Sequence, residues 1–323
     1  MTSLDEWEKS VAHAVAAALE RMAAGVATLG RAVGAGAIER SVGHAVAAVL
    51  RRTAVNLGTT LELLGRVPSR AGRWRAILPP PVPLAIGVAL TIVAVAGAMV
   101  LVDAWAIERT RYLPAIVVDV FNRVTDFGLS GWFLWPTGLL LLLVAAVASP
   151  ALGRIADLTL IAIMVRLEFV FIAIALPGLL LTILKRLIGR ARPSPLGPFH
   201  YVPFSWRSDY ASLPSGHSTA AFAAAIAIGA LVPRARPALW IYAGVIALSR
   251  VVIATHFPSD VIAGAVGGAF GAILVRDWYA SRGLIFTVAP DGAVRTRPGP
   301  SLQRIRRVVL LIVGPPVSSG KAS

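Results

Sequence analysis

Lys185-Arg186-Leu187-Ile188-Gly189-Arg190-Ala191-Arg192-Pro193, Pro214-Ser215-Gly216-His217 and Ser249-Arg250, the last followed by His256 and Asp260, are polar islands in an otherwise almost purely apolar stretch. A charged side chain facing hydrocarbon costs roughly 2.5–3.5 kcal/mol on insertion scales. Charges kept in such surroundings need a shared reason to be there.

The surroundings are a membrane. Of 323 residues, 57% are hydrophobic and only 15% charged, and the mean hydropathy of +0.75 is far above that of a soluble domain. On a soluble protein a net charge of +15 would point to nucleic acid. Here the basic residues gather at both ends and beside apolar runs, which suits anionic lipid headgroups and the positive-inside rule, so membrane lipids rather than nucleic acid are the expected partners. With no cysteine, disulfides, thiolate metal sites and a cysteine nucleophile are excluded. Asp5, Glu6 and Glu8, with no short apolar core behind them, do not read as a cleavable signal peptide; the first apolar span is expected to serve as an uncleaved anchor.

In chain order, residues 1–78 form an N-terminal cytoplasmic or interfacial helical region with an internal repeat. Glu8-Lys9-Ser10-Val11-Ala12-His13-Ala14-Val15 recurs as Glu39-Arg40-Ser41-Val42-Gly43-His44-Ala45-Val46. Val11, Val15, Leu19, Met22, Val26 and Leu29 make one helical stripe, and Val42, Val46, Leu50, Leu57, Leu61 and Leu64 another, with Gly34 and Gly36 as the break. Two readings stand: an amphipathic pair on the cytoplasmic membrane face or against a partner, including a second copy of the chain, and a small hairpin packed on itself or on the body. His13 and His44 have no histidine or carboxylate near them in sequence, so no metal role is expected. Arg66 to Arg75, with Trp74, is a juxtamembrane collar, and the prolines from Pro79 to Pro83 stop any helix before the membrane.

Residues 79–276 carry six expected spans, at about 84–102, 131–148, 167–187, 215–232, 238–253 and 258–275, so the fold class is all-α, a six-transmembrane-helix bundle. Residues 103–130 read as an aqueous loop or short surface helix. Trp132 and Trp135 anchor the second span, Pro177 kinks the third, and Gly264, Gly267, Gly268 and Gly271 give the sixth a small-residue face. Residues 277–323 are a basic cytoplasmic tail whose apolar run Val308 to Val313 is too brief to cross a bilayer.

Parity places the islands. The first follows span three, the second precedes span four and the third lies between spans five and six, so all share one membrane face. Counting Lys and Arg puts the N-terminal region, the Arg234/Arg236 turn and the tail in the cytoplasm. The islands then face the periplasm or exterior, and their basic residues break the rule, as an anion-binding site would.

The islands supply cations (Lys185, Arg192, Arg250), two histidines (His217, His256), a carboxylate (Asp260) and Ser215-Gly216 at a helix start. Guanidinium forks, a lysine point charge and free N–H groups at a helix N-terminus all match phosphoryl oxygens. Asp260 falls in the first turn of the helix opened by Pro258, where it can bond one ring nitrogen of His256 and leave the other free to attack phosphorus. His217 is then the acid for the leaving alkoxide and the base for water in the second step. No carboxylate cluster exists to hold magnesium or zinc, so side-chain cations carry the neutralisation and no cofactor is expected.

At these residues the sequence resembles the type 2 phosphatidic acid phosphatase superfamily, which shares its site with vanadium haloperoxidases. Lys185 with Arg192-Pro193, Pro214 to His217, and Ser249-Arg250 with His256 and Asp260 match its three motifs in order. The resemblance covers roughly 84–275. It implies a six-helix bundle and metal-independent hydrolysis of lipid phosphates. It makes His256 the nucleophile, Asp260 its orienter, His217 the acid, and Lys185, Arg192, Ser215, Gly216 and Arg250 phosphate binders.

Neighbouring residues have blander readings. Arg186 and Arg190 are read as headgroup contacts beside the matched positions, and Ser249 as a residue that positions Arg250. The loop 194–213 is either a lip over the site or part of an interfacial aromatic belt. The leading expectation is a lipid phosphatase acting on undecaprenyl diphosphate, phosphatidylglycerol phosphate, phosphatidic acid or a lipid A phosphate. A lipid phosphotransferase using the same phosphohistidine and a non-catalytic scaffold or transporter are the alternatives.

Overall fold

In the computed structural model, residues 35–65, 79–194 and 197–313 are described, with side chains from residue 42 onward. The first half of the repeat with His13, the Arg66–Arg75 collar and the last ten residues lie outside them. The helices are α1 (Ala35–Gly65), α2 (Pro81–Leu101), α3 (Asp103–Thr110), α4 (Ala115–Thr125), α5 (Gly131–Val147), α6 (Arg154–Ile188), α7 (Gly216–Leu231), α8 (Arg236–Val252), α9 (Pro258–Ser281) and α10 (Leu302–Val313). A small antiparallel hairpin, β1 (Phe286–Val288) with β2 (Val294–Thr296), is the sole sheet among the described residues.

The chain divides into two units. The first comprises the described residues within Met1–Glu62, Leu142–Met164 and Gly299–Ser323. There the Asn56 amide of α1 donates to Ala145 O at 2.8 Å and to Ala148 O at 2.9 Å, satisfying carbonyls that the end of α5 leaves open. Gly36, expected as a break, lies inside α1, where an isolated glycine is tolerated at a cost of ~1 kcal/mol. His44, Val42, Val46 and Leu50 are exposed.

The second unit, Leu63–Leu141 with Val165–Pro298, holds the site. Among the described residues, five helical segments are long and apolar enough to cross a membrane: Pro81–Leu101, Ala115–Val147, Arg154–Ile188, Pro233–Val252 and Pro258–Ser281. The sixth expected span is α7, apolar but only 16 residues long. The chain is a multi-pass membrane protein. α7 is the most enclosed helix, with Ala220, Ala221, Ala223, Ala224, Ala225, Ala227 and Ala230 all buried. Its small side chains let α8 and α9 approach closely, which is how helices associate where hydrophobic burial gives no advantage over lipid.

The glycines of α9 serve two neighbours rather than the one face read from sequence. A methyl at Gly264 or Gly268 would run into the carbonyl oxygen of Ser215 or Thr219. One at Gly267 or Gly271 would lie 2.6 Å from Leu181 Cδ1 or Pro177 Cβ. Each pair is spaced by four residues, and the offset between pairs turns the second onto the adjoining helix face.

Residues 103–130 take the helical of the two expected forms but do not lie wholly at the surface. They form α3, α4 and a 3-10 turn at Asp126–Gly128, and Asp103, Ala106, Thr125 and Gly128 are buried. The tail is likewise structured: α9 continues to Ser281, and Pro290-Asp291-Gly292, with Gly292 at φ 80°, turns the hairpin.

Candidate active site

Successive antiparallel helices bring the C-terminal ends of α2, α6 and α8 together with the N-terminal ends of α7 and α9. Ser215 N–H donates to Asp260 O at 2.9 Å, which ties the second island to the third. Lys185 Nζ lies 3.4 Å from where a Gly216 Cβ would stand, so the lysine reaches from the last turn of α6 to the first turn of α7. No side chain caps α7, so no side-chain oxygen competes with an anion for its first backbone N–H groups.

His217 packs against Gly128: a Cβ there would lie 3.0 Å from the ring Cδ2. The charges of Arg250, Lys185 and Arg192 and the ring of His256 all fall within electrostatic reach of His217. Arg250, only 6% exposed, donates from Nη1 to Thr125 Oγ1 at 2.7 Å, and Ser249 Oγ donates to the same oxygen at 3.0 Å. Ser249 is therefore tied to the group that holds Arg250. Arg192 is half-buried, its Nε bonded to Ser208 O at 3.1 Å and its N–H to Asp209 O at 2.8 Å.

Beyond α8 the chain reverses at Ala254, a non-glycine residue with φ 48°. That turn lets the amides of Thr255 and His256 both donate to Arg250 O at 3.1 Å. The His256 ring is 2% exposed, and burial, opposed by Asp260, pushes its pKa down to about 4. Its Nδ1 stands 3.6 Å from Asp260 Oδ2, too long for a hydrogen bond. The carboxylate already accepts from Ser212 Oγ at 2.5 Å, Phe257 N at 2.9 Å and Arg190 Nη1 at 2.6 Å. The expected His256–Asp260 pair is thus an approach, with Nδ1 left without a hydrogen-bond partner.

Arg190 overturns its sequence reading. It touches no headgroup: it is fully buried, bridging Asp260 and Asp103 at 2.6 and 2.7 Å, donating to Ser259 Oγ and Pro198 O, and lying 4.4 Å over the Phe257 ring. Burial alone would weaken its charge, but the carboxylates of Asp260 and Asp103 outweigh burial and raise its pKa. Gly189 makes this possible: with φ 63° it turns the chain out of α6 against the Val202 carbonyl, where a side chain would collide. Asp103 also accepts from Ser259 N and Oγ, fixing the start of α9. Arg186 donates to Trp206 O and Arg207 O, both at 2.9 Å, and so ties down the loop.

That loop has two sides. Phe199, Phe204 and Trp206 are exposed, as a belt would be, while Ser208, Asp209 and Ser212 contact Arg192 and Asp260. Asp103, Thr125, Gly128, Arg190 and Ser212 are site residues that motif spacing missed. The signal for Asp103 was a lone carboxylate at the end of an apolar span.

Among the described residues no three histidines or carboxylates come together as a metal site. Ser215 Oγ, Ser218 Oγ, Arg250 Nε and His256 Nδ1 are buried without hydrogen-bond partners. Buried hydroxyls and a guanidinium nitrogen without partners suit an anion with several acceptor oxygens.

Residues 167–284 match the PAP2 superfamily model. A lipid A 1-phosphatase of Rhizobium etli is 38% identical over 208 residues, 63% of this chain and 88% of the relative. A lipid A 1-phosphatase of Rhizobium johnstonii is 37% identical over 227 residues, 68% of this chain and 91% of the relative. The chain belongs to the PAP2 superfamily. As a PAP2 protein it is a phosphoric ester hydrolase. Among solved structures it is similar to Aquifex aeolicus LpxE, with 22% identity and a TM-score of 0.39 over 54% of this chain and 93% of that one.

Proposed function

We propose that this PAP2 protein hydrolyses the phosphomonoester of a membrane lipid, with lipid A 1-phosphate the first substrate to try. The observation that carries the reading is that Ser215 Oγ, Arg250 Nε and His256 Nδ1 are all buried without partners, on segments tied together by the Ser215 N–H bond to Asp260 O and the His256 N–H bond to Arg250 O. The two relatives, each named a lipid A 1-phosphatase, support the substrate class.

The phosphoryl oxygens are held by Lys185, Arg192 and Arg250, by Ser215, and by the backbone donors at Gly216 and the start of α7. His256 attacks phosphorus through Nε2 while Nδ1 turns to Asp260, a contact that tightens from 3.6 Å as positive charge develops on the ring. The bond to the lipid oxygen breaks and His217 delivers its proton to that oxygen. Water then attacks the phosphohistidine, His217 takes the water proton, and inorganic phosphate leaves. Asp260 stays ionised throughout, because Arg190 and Ser212 hold it as the carboxylate.

The site faces the periplasm of an inner membrane and both termini are cytoplasmic, a reading supported by Arg234 and Arg236 in the turn at the far ends of α7 and α8. Residues 79–276 carry the catalysis. Purified protein incubated with lipid A in EDTA is expected to release phosphate and leave lipid A lacking its 1-phosphate by mass spectrometry. Unchanged lipid A, with phosphate released from other lipid phosphates, would move the substrate assignment and keep the chemistry.

A further inference from the structure

An apolar groove of about 520 Å³ lies between α6 and α9, walled by Leu176, Leu180 and Leu181 on one side and Phe270, Leu274 and Trp278 on the other. No charged residue lines it. Its level relative to the candidate phosphate site follows from contacts already described. Lys185 Nζ and Gly264 both abut the Ser215-Gly216 start of α7, which puts the phosphate end at that height. One turn deeper Gly267 meets Leu181, and one turn deeper again Gly271 meets Pro177. The groove thus begins within about 5 Å of the phosphate end and runs about 16 Å, from Gly267 to Trp278, at 1.5 Å per residue. Leu180 is 56% exposed and Leu176 38%, so its side is open to lipid.

We propose that this groove holds one acyl chain of the substrate whose phosphate is bound at Lys185, an inference that rests on the lipid phosphatase reading above. A chain running from the level of Lys185 past Leu181 and Phe270 to Trp278 follows the helices, the direction a lipid's chains already take. Lipid tails are as apolar as leucine, so the transfer brings no hydrophobic gain. What it brings is orientation: a chain seated in the groove holds its headgroup phosphate in line with His256.

The probe is lipid A carrying a diazirine at the end of one acyl chain, photolysed with the binding-competent His256→Ala variant in detergent. Expected is labelling concentrated on Phe270, Leu274 and Trp278, suppressed by excess unlabelled lipid A and not by lipid A lacking its 1-phosphate. Leu180→Trp, which fills the groove, should cut both labelling and kcat/KM by about tenfold, while Leu179→Trp, exposed on the same helix but outside the groove, should leave both unchanged. Labels scattered over lipid-facing residues, or labelling indifferent to the competitor, would reject the groove. Phosphate release from the probe by the wild-type protein separates the two failures: release with scattered labels removes the groove alone, and no release removes the substrate reading with it.

Discussion

Arg190 and Asp103, far apart in sequence, form a 2.7 Å ion pair in which neither side chain has any solvent exposure. The same guanidinium binds Asp260, the carboxylate nearest the His256 ring, so the start of α3 is wired to the candidate nucleophile through one arginine. Removing one partner of a buried pair leaves an uncompensated charge, which costs about 3–5 kcal/mol. Asp103→Ala should therefore lower the thermal midpoint in detergent by roughly 10 °C. Asp103→Asn, which keeps an acceptor for Ser259 N–H, should lose less. A midpoint shift for Asp103→Ala no larger than that of an exposed pair such as Arg207–Asp209 would contradict the burial.

Thr125 is the acceptor that holds Arg250 in place. Thr125→Val preserves the shape and leaves a charged donor unsatisfied, a loss of about 1.5–3 kcal/mol in hydrogen bonding. If Arg250 binds the phosphoryl group, KM for a lipid phosphate should rise about tenfold or more while the fold survives, as steady-state kinetics with a melting curve will show. Unaltered KM would mean that Arg250 is positioned by other groups.

Close backbone packing of α9 against α7 sets the height of Ser215. Gly264→Ala puts a methyl into the Ser215 carbonyl and should cost about 1–3 kcal/mol in stability and most of the activity. Gly271→Ala presses on Pro177, two turns away from the site, and should cost stability with a smaller loss of kcat. Equal activity losses for both would break the link between Gly264 and the phosphate cradle.

Attack requires a neutral His256, and burial holds its pKa at about 4. The acid limb of kcat/KM is therefore expected near pH 4, with activity lost as pH falls through that value and retained at pH 5–6. Asp260 raises this pKa, so Asp260→Asn should move the limb to lower pH as well as slow the reaction. A limb at the ordinary histidine value of ~6.5 would mean a solvated ring.

Much of this was legible beforehand, for physical reasons that also mark where legibility ends. Hydropathy finds helices that must lie in lipid, and helix parity then forces Lys185, His217, Arg250 and His256 to one end of the bundle whatever the packing angles. Spacing alone does not reveal partners. Arg190 lies two residues from Arg192 and looks like another headgroup contact, because its inward turn depends on Gly189 and on carboxylates from α3 and α9. Asp103 and Thr125 lie outside the stretch that matches the PAP2 model. Periodicity showed that α9 has a small-residue side, but only its neighbours reveal that Gly264/Gly268 and Gly267/Gly271 serve different helices. His256 and Asp260 have the right spacing, yet the other donors on Asp260 hold the pair at 3.6 Å, a length no motif encodes.

The most direct test of the account is phosphate release from a lipid phosphate in EDTA by wild-type protein and by His256→Ala, with equal melting curves for the two. The account predicts steady release by the wild type and loss of turnover by a factor of ~10³ or more in the variant, whose nucleophile is gone. Release by His256→Ala at the wild-type rate would contradict it.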